Sequence, residues 1–266
     1  MVVNQYSPIN SKVNIETLSV LKKRNYTLQI FDVLTKKFLD QLSRKILRDS
    51  QMVNRPEMVA LGFWLRKSQI NRIENDQNVR QSDEGATISP LGVVFHICPA
   101  NVDTMFMYSM VISLLVGNKN ILRISSRLED QVVLRLFDFL NELMEYDEFY
   151  VFKDYINVIK YGHDEAISSF LSRSSNARLI WGGDNTIKTF QGLEKGARTK
   201  DIVFADRVSM TILGSKNLLS LNDDEWDNFA KLFFNDSYTF DQKGCSSPQT
   251  IFFLGASDCN DEAAHL

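Results

Sequence analysis

One cysteine stands where its thiol could act as a nucleophile. The segment Phe240-Asp241-Gln242-Lys243-Gly244-Cys245-Ser246-Ser247-Pro248-Gln249 sets it between a glycine and two serines, beside a proline. That composition is a loop, and a reactive thiolate needs partial exposure and nearby donors. A free cysteine is also a good core hydrophobe, so packing is the competing reading of Cys245. A second candidate is Asn101, at the end of Pro90-Leu91-Gly92-Val93-Val94-Phe95-His96-Ile97-Cys98-Pro99-Ala100-Asn101. Its side chain could cap the following helix, or its amide could donate to a developing oxyanion. Arg123, delivered by the run Asn120–Ile124 after Gly117, is either an ordinary surface cation or a ligand contact. Gly182-Gly183 follows another apolar run, as a common turn or as a place where backbone approaches a ligand closely.

Other chemistries lack their residues. The three histidines (96, 163 and 265) are far apart in sequence, and the three cysteines (98, 245 and 259) form no C-x-x-C, so no metal site is predicted. His96 and His163 read as core or surface residues, Cys98 as packing and Cys259 as inert. The sequence has no G-x-x-x-x-G-K-[ST], no G-x-G-x-x-G and no G-x-S-x-G.

The elements that must position these residues follow from periodicity. Leu28, Phe31, Leu34, Phe38, Leu42 and Ile46 recur at helical spacing. A second helix is predicted from about Arg55, with Pro56 in its first turn, to about Asn75. The polar stretch Glu74–Glu84 reads as a turn and a boundary. From residue 90, apolar runs alternate with amphipathic helices. The predicted pairs are Gly92–Ile97 with Asp103–Val116, Asn120–Ile124 with Leu128–Tyr146, Ile156–Tyr161 with Asp164–Leu171, and Ala177–Trp181 with Asn185–Leu193. Asp201–Phe204 follows as a further strand. This pattern predicts an α/β domain, a doubly wound parallel sheet that binds ligands beyond the carboxyl ends of its strands.

Composition bounds the partners. The 266 residues carry 30 Lys+Arg and 33 Asp+Glu, a net charge of −3, which argues against nucleic-acid binding. The longest apolar run, Thr104–Val116, is shorter than the roughly 20 residues that span a bilayer, and no membrane span is expected. No signal segment is visible at Met1–Gln5, and a cytoplasmic setting is expected.

In order along the chain, P-x-G-V…I-x-P-x-N, G-N-x-x-x-x-[KR]-x-S, a strand with G-[GS], and a loop cysteine resemble the aldehyde dehydrogenase superfamily. Asp241–Gln249 makes the resemblance closest to its acyl-CoA reductase branch, the long-chain fatty acyl-CoA reductases of the LuxC type associated with luminescence. The similarity covers roughly residues 85–254. It implies that Cys245 is the nucleophile that accepts the acyl group, and that Asn101 with the Cys245 backbone N–H forms an oxyanion hole. It also implies that Arg123, Ser125, Arg127, Gly162, Gly182 and Gly183 contact a dinucleotide. Phe204 stands where hydrolytic members have a water-activating Glu, which favours acyl-CoA chemistry over carboxylate production. Ser126 replaces the Glu of NAD-selective members, and with Arg123 and Arg127 nearby this favours NADPH over NADH.

The resemblance therefore implies an acyl-CoA reductase that makes fatty aldehyde from long-chain acyl-CoA and NADPH through an acyl-cysteine. Alternatives are an acyl-phosphate reductase and a non-catalytic subunit docked on an acyl-protein synthetase. Three regions are expected: a helical one over 1–85, a cofactor domain over 86–235, and the start of a catalytic domain over 236–266. Only 21 residues follow Cys245, so a truncated chain is expected, oligomeric in its full-length form.

Overall fold

The N-terminal region, expected to be helical, opens with two strands, β1 (Val2–Ser7) and β2 (Ser11–Asn14), paired antiparallel. Their alternation is concealed because two of the inward residues of β1, Gln5 and Ser7, are polar. The computed structural model describes residues 1–22, 27–85, 87–99, 104–239 and 241–255, with backbone alone over 79–84.

Three helices follow. α1 (Val33–Arg48) starts where the Asp32 carboxylate accepts the Leu34 N–H, and it buries Phe38, Leu39, Leu42 and Ile46. The single helix predicted over 55–75 is two, α2 (Pro56–Trp64) and α3 (Lys67–Glu84), broken at Leu65-Arg66. The break lets Met58, Leu61, Leu65 and Ile70 all reach one core. Glu74–Glu84, expected as a turn, is helical. It contains neither Gly nor Pro, and α3 stops at Gly85, whose φ of +62° suits glycine.

The predicted alternation then appears as β3 (Val93–Ile97), α4 (Met105–Leu115), β4 (Lys119–Arg123), α5 (Gln131–Met144), β5 (Ile156–Lys160), α6 (Glu165–Arg173), β6 (Ala177–Gly182), α7 (Asp184–Gly192) and β7 (Lys200–Ala205). The sheet order is β2-β1-β5-β4-β3-β6-β7, parallel from β5 to β7, with β1 antiparallel on β5. Both faces are buried. Leu122 and Val158 join a core with α1, α2, α4 and α5, while their neighbours Ile121 and Ile159 face α6 and α7. This two-sided burial is why the strands read as continuous apolar runs. The chain proceeds from β3 outward through β4 and β5, then returns to β6 on the other side, so the switch point lies between β3 and β6.

Compact units divide at Ala205/Asp206 rather than at 85/86 and 235/236. Helices α1 and α2 share their core with α4 and α5, so no boundary separates residues 1–85. A cut at 235/236 would fall inside α9 (Asp223–Tyr238). The second unit, Asp206–Leu266, contains β8 (Ser209–Gly214), α8 (Ser215–Leu219), α9 and β9 (Pro248–Leu254). β8 and β9 pair in parallel, and a capping box of Asn222 and Glu225 starts α9. Among the described residues no helix is long and apolar enough to cross a membrane.

Candidate active site

Arg123 is the last residue of β4, so the strand carries its side chain to the carboxyl edge of the sheet. The guanidinium lies over Tyr161, 4.8 Å from the ring centroid, and 5.8 Å from that of Phe190. Its Nη2 donates to the Gly162 carbonyl at 3.3 Å. Its Nε is buried and has no partner among the described residues. A buried N–H left unmatched is costly, and a ligand oxygen would satisfy it.

This arginine lines a cavity of about 650 Å³, within the range of nucleotide and drug-sized sites. The opposite wall is α7, with Asn185, Thr186, Lys188 and Phe190. The start of α6 contributes His163, Asp164 and Glu165. The Asp164 carboxylate is engaged as the α6 cap, accepting the Ile167 N–H at 3.0 Å. Tyr161 supports the arginine from below: burial pushes its hydroxyl up to about 12, and it bonds Ser168 at 3.2 Å. The hydroxyl therefore stays neutral under physiological conditions.

The other residues singled out in sequence divide by position. Gly162 accepts from Arg123, and a Cβ at Gly162 would meet open space. Gly182 has φ +150°, and a Cβ there would approach Thr186 to 3.1 Å; Gly183 is the N-cap of α7. Together they make the tight passage from β6 into the cavity wall. Ser125 builds the turn after β4, its hydroxyl accepting the Arg127 N–H at 3.1 Å. Arg127 is exposed and does not line the cavity; the second cation there is Lys188. Lys188 and His163 were not legible as ligand contacts, because helix α7 and the loop before α6 bring them to one cavity. Asn101 lies outside the described residues.

Beside the Gly182 turn, Trp181 stacks on Phe204, with centroids 3.9 Å apart and planes at 9°. A chain of hydrogen bonds fixes the indole. The Asn120 amide donates to the Asn118 and Tyr155 carbonyls, so its Oδ1 accepts from His96 Nε2 at 3.0 Å. His96 Nδ1 then accepts from the Ser109 hydroxyl at 2.8 Å, and Ser109 Oγ accepts from Trp181 Nε1 at 3.3 Å. Burial, opposed by the Asn120 bond, pushes His96 down to about 4, which keeps the ring neutral. His96 is thus a core residue with every ring nitrogen satisfied.

In the second unit, Cys245 is exposed in the connection between α9 and β9. Ser209 donates to its carbonyl at 2.6 Å, and the Ser247 N–H closes a turn onto the Gly244 carbonyl at 3.0 Å. Asp241 and Gln242 just before it have positive φ (50° and 58°), a conformation that costs non-glycine residues about 1–3 kcal/mol. Cys98 contrasts with it: burial pushes that thiol up, with the Arg123 charge only partly opposing. Cys245 is therefore the better placed of the two for nucleophilic chemistry, and the packing reading belongs to Cys98. No cluster of His, Cys, Asp or Glu suited to a metal occurs among the described residues.

The fold is similar to that of solved aldehyde dehydrogenases. A betaine aldehyde dehydrogenase from Staphylococcus aureus, solved with NAD+, is 16% identical with a TM-score of 0.58, matching 98% of this chain and 56% of its own. An aldehyde dehydrogenase from Bartonella henselae gives 14% identity and a TM-score of 0.55, over 87% of this chain and 49% of its own. Another, from Bacillus cereus, gives 11% and 0.57, over 93% and 51%. The chain thus spans about half the length of these structures. No curated protein matches it. The family model for acyl-CoA reductase (LuxC) matches residues 20–266, and the chain belongs to that family.

Proposed function

We propose that the protein is an NADPH-dependent reductase of long-chain acyl-CoA that works through an acyl-enzyme on Cys245. The observation that carries this reading is an exposed, anchored Cys245 in a chain of the acyl-CoA reductase family.

The residues around the 650 Å³ cavity fit a nucleotide. The Arg123 Nε, which has no partner among the described residues, and the Lys188 ammonium suit phosphate or ribose oxygens, and the aromatic pair Tyr161 and Phe190 holds the guanidinium in place. Two cations in the cavity and serine at position 126 favour NADPH over NADH. When bound, NADPH supplies the hydride that reduces the acyl carbon.

The protein's own part is acyl transfer. The Cys245 thiolate forms a C–S bond to the thioester carbonyl carbon, and the coenzyme A thiolate leaves with the electron pair of the broken bond. The family resemblance assigns the oxyanion to the Asn101 side-chain amide and the Cys245 backbone N–H, and such donors contribute about 3–4 kcal/mol each in comparable sites. Phe204 stands at the sequence position where hydrolytic relatives carry a water-activating Glu, which favours reduction of the acyl-enzyme over its hydrolysis. After reduction, Cys245 departs as thiolate and the aldehyde is released. The acyl donor is acyl-CoA or an acyl-protein delivered by a synthetase partner, and the setting is cytoplasmic, with the protein oligomeric.

The test is NADPH consumption with palmitoyl-CoA while aldehyde is trapped with a hydrazine. One aldehyde per NADPH is expected. Release of free fatty acid without NADPH oxidation would overturn the reading, and activity confined to acyl phosphates would point to the other reductase class.

A further inference from the structure

A second cavity, of about 400 Å³, lies in the helical layer between α1 and the start of α3. Four cations line it, Arg44, Arg48, Arg66 and Lys67, against one carboxylate, Asp40. That carboxylate is already engaged. Arg44 Nε and Nη2 reach its Oδ2 at 3.0 and 2.8 Å, and the Lys67 backbone N–H donates to Oδ1 at 3.3 Å. Several other cations on this layer are matched with carboxylates: Lys36 with Glu74, Lys37 with Glu148, Lys45 with Glu142, Arg135 with Asp49. Among the described residues, Arg48, Arg66 and Lys67 have no carboxylate within 4.0 Å.

The cavity therefore gathers three unmatched positive charges, whose mutual repulsion a bound anion would relieve. One of them is pre-positioned: the Arg66 guanidinium lies 3.8 Å from the centroid of the Phe63 ring. Ser68 adds a hydroxyl to the lining. A carboxylate would leave most of this charge unmatched. A phosphate monoester brings nearly two charges and three acceptor oxygens, which suit forked guanidinium donors.

We propose that this cavity is a binding site for a phosphate monoester, separate from the cavity at Arg123 and independent of the reading of Cys245. The ligand is either a free phosphorylated metabolite or the headgroup of an anionic lipid.

The experiment is calorimetric titration with inorganic phosphate and with glycerol 3-phosphate at ionic strength held constant with chloride. A parallel arm uses co-sedimentation with phosphatidylcholine vesicles with and without phosphatidic acid. The variants are Arg48→Gln/Arg66→Gln/Lys67→Gln, with Arg48→Gln alone as the milder change and Arg123→Gln as the control for the other cavity. Saturable binding is expected in the wild type and in Arg123→Gln, weakened by about tenfold or more in the triple variant, in keeping with lost charge-assisted bonds. Binding of the soluble ester assigns a metabolite. Binding only to phosphatidic acid vesicles, weakened in the same variants, assigns a headgroup. Absence of saturable binding to every probe overturns the proposal, as does binding lost in Arg123→Gln or unchanged in the Arg48, Arg66 and Lys67 variants.

Discussion

The Arg123 guanidinium rests on the Tyr161 ring at 4.8 Å while its own Nε is buried with no partner among the described residues. An arginine held this way is pre-organised to donate, and it sits at the carboxyl end of β4 facing the larger cavity. Arg123→Ala removes both the charge and the waiting donor. NADPH binding, followed by fluorescence titration, should weaken by about 10- to 100-fold, the range for a hydrogen bond to a charged group worth about 1.5–3 kcal/mol. Unchanged affinity would remove Arg123 from the cofactor site.

Lys188 contributes the second cation of that cavity from α7. Lys188→Gln should weaken NADPH by about 3- to 10-fold and NADH by much less, because an exposed point charge matters most to the additional phosphate. The difference should shrink in high salt. Equal effects on both cofactors would contradict a role in discrimination.

His96 gives the sheet a pH dependence. Its pKa is about 4 in the fold against 6.5 for the ordinary value, so the unfolded chain binds the additional proton between these limits. Stability from this group is complete above about pH 6.5 and is lost as pH falls towards 4, by about 3 kcal/mol in all. Denaturant unfolding at several pH values should show this decline, and His96→Gln should flatten it. A decline of the same size in the variant would assign it to other groups.

Arg178 is fully buried on β6, where the Asp201 carboxylate takes its Nε and Nη2 at 2.7 and 2.8 Å. Burial would raise the Asp201 pKa, but hydrogen bonds from Arg178 and Lys195 outweigh it and hold the carboxyl below its ordinary range. The stabilisation is present above pH 4 or so and is lost as pH falls through the lowered value. Asp201→Ala leaves a buried cation unpaired and should cost about 3–5 kcal/mol in denaturant unfolding at pH 7. A loss below 1 kcal/mol would show that Ser172, which accepts from Arg178 Nη1 at 3.2 Å, suffices.

The parallel strands were legible in the sequence because both of their faces are buried, leaving near-continuous apolar runs such as Val93–Ile97 between helices with clear periodicity. β1 was not, since polar Gln5 and Ser7 occupy its inward positions. The second half of α3 was not, since its polar residues carry no apolar stripe to mark it. In the candidate site, Arg123 and the two glycines stand at strand ends, where sequence order alone indicates position. Lys188, His163 and the Trp181–Phe204 stack depend on contacts between distant segments, which no local pattern encodes.

An acyl group carried by Cys245 must be discharged by reduction. The direct measurement is the mass of the Cys245 peptide after incubation with palmitoyl-CoA, before and after addition of NADPH. A peptide heavier by one palmitoyl group is expected, returned to its original mass by NADPH with release of the aldehyde, with no such adduct in Cys245→Ala. An adduct on another residue, or one that NADPH leaves in place, would contradict the acyl-cysteine route.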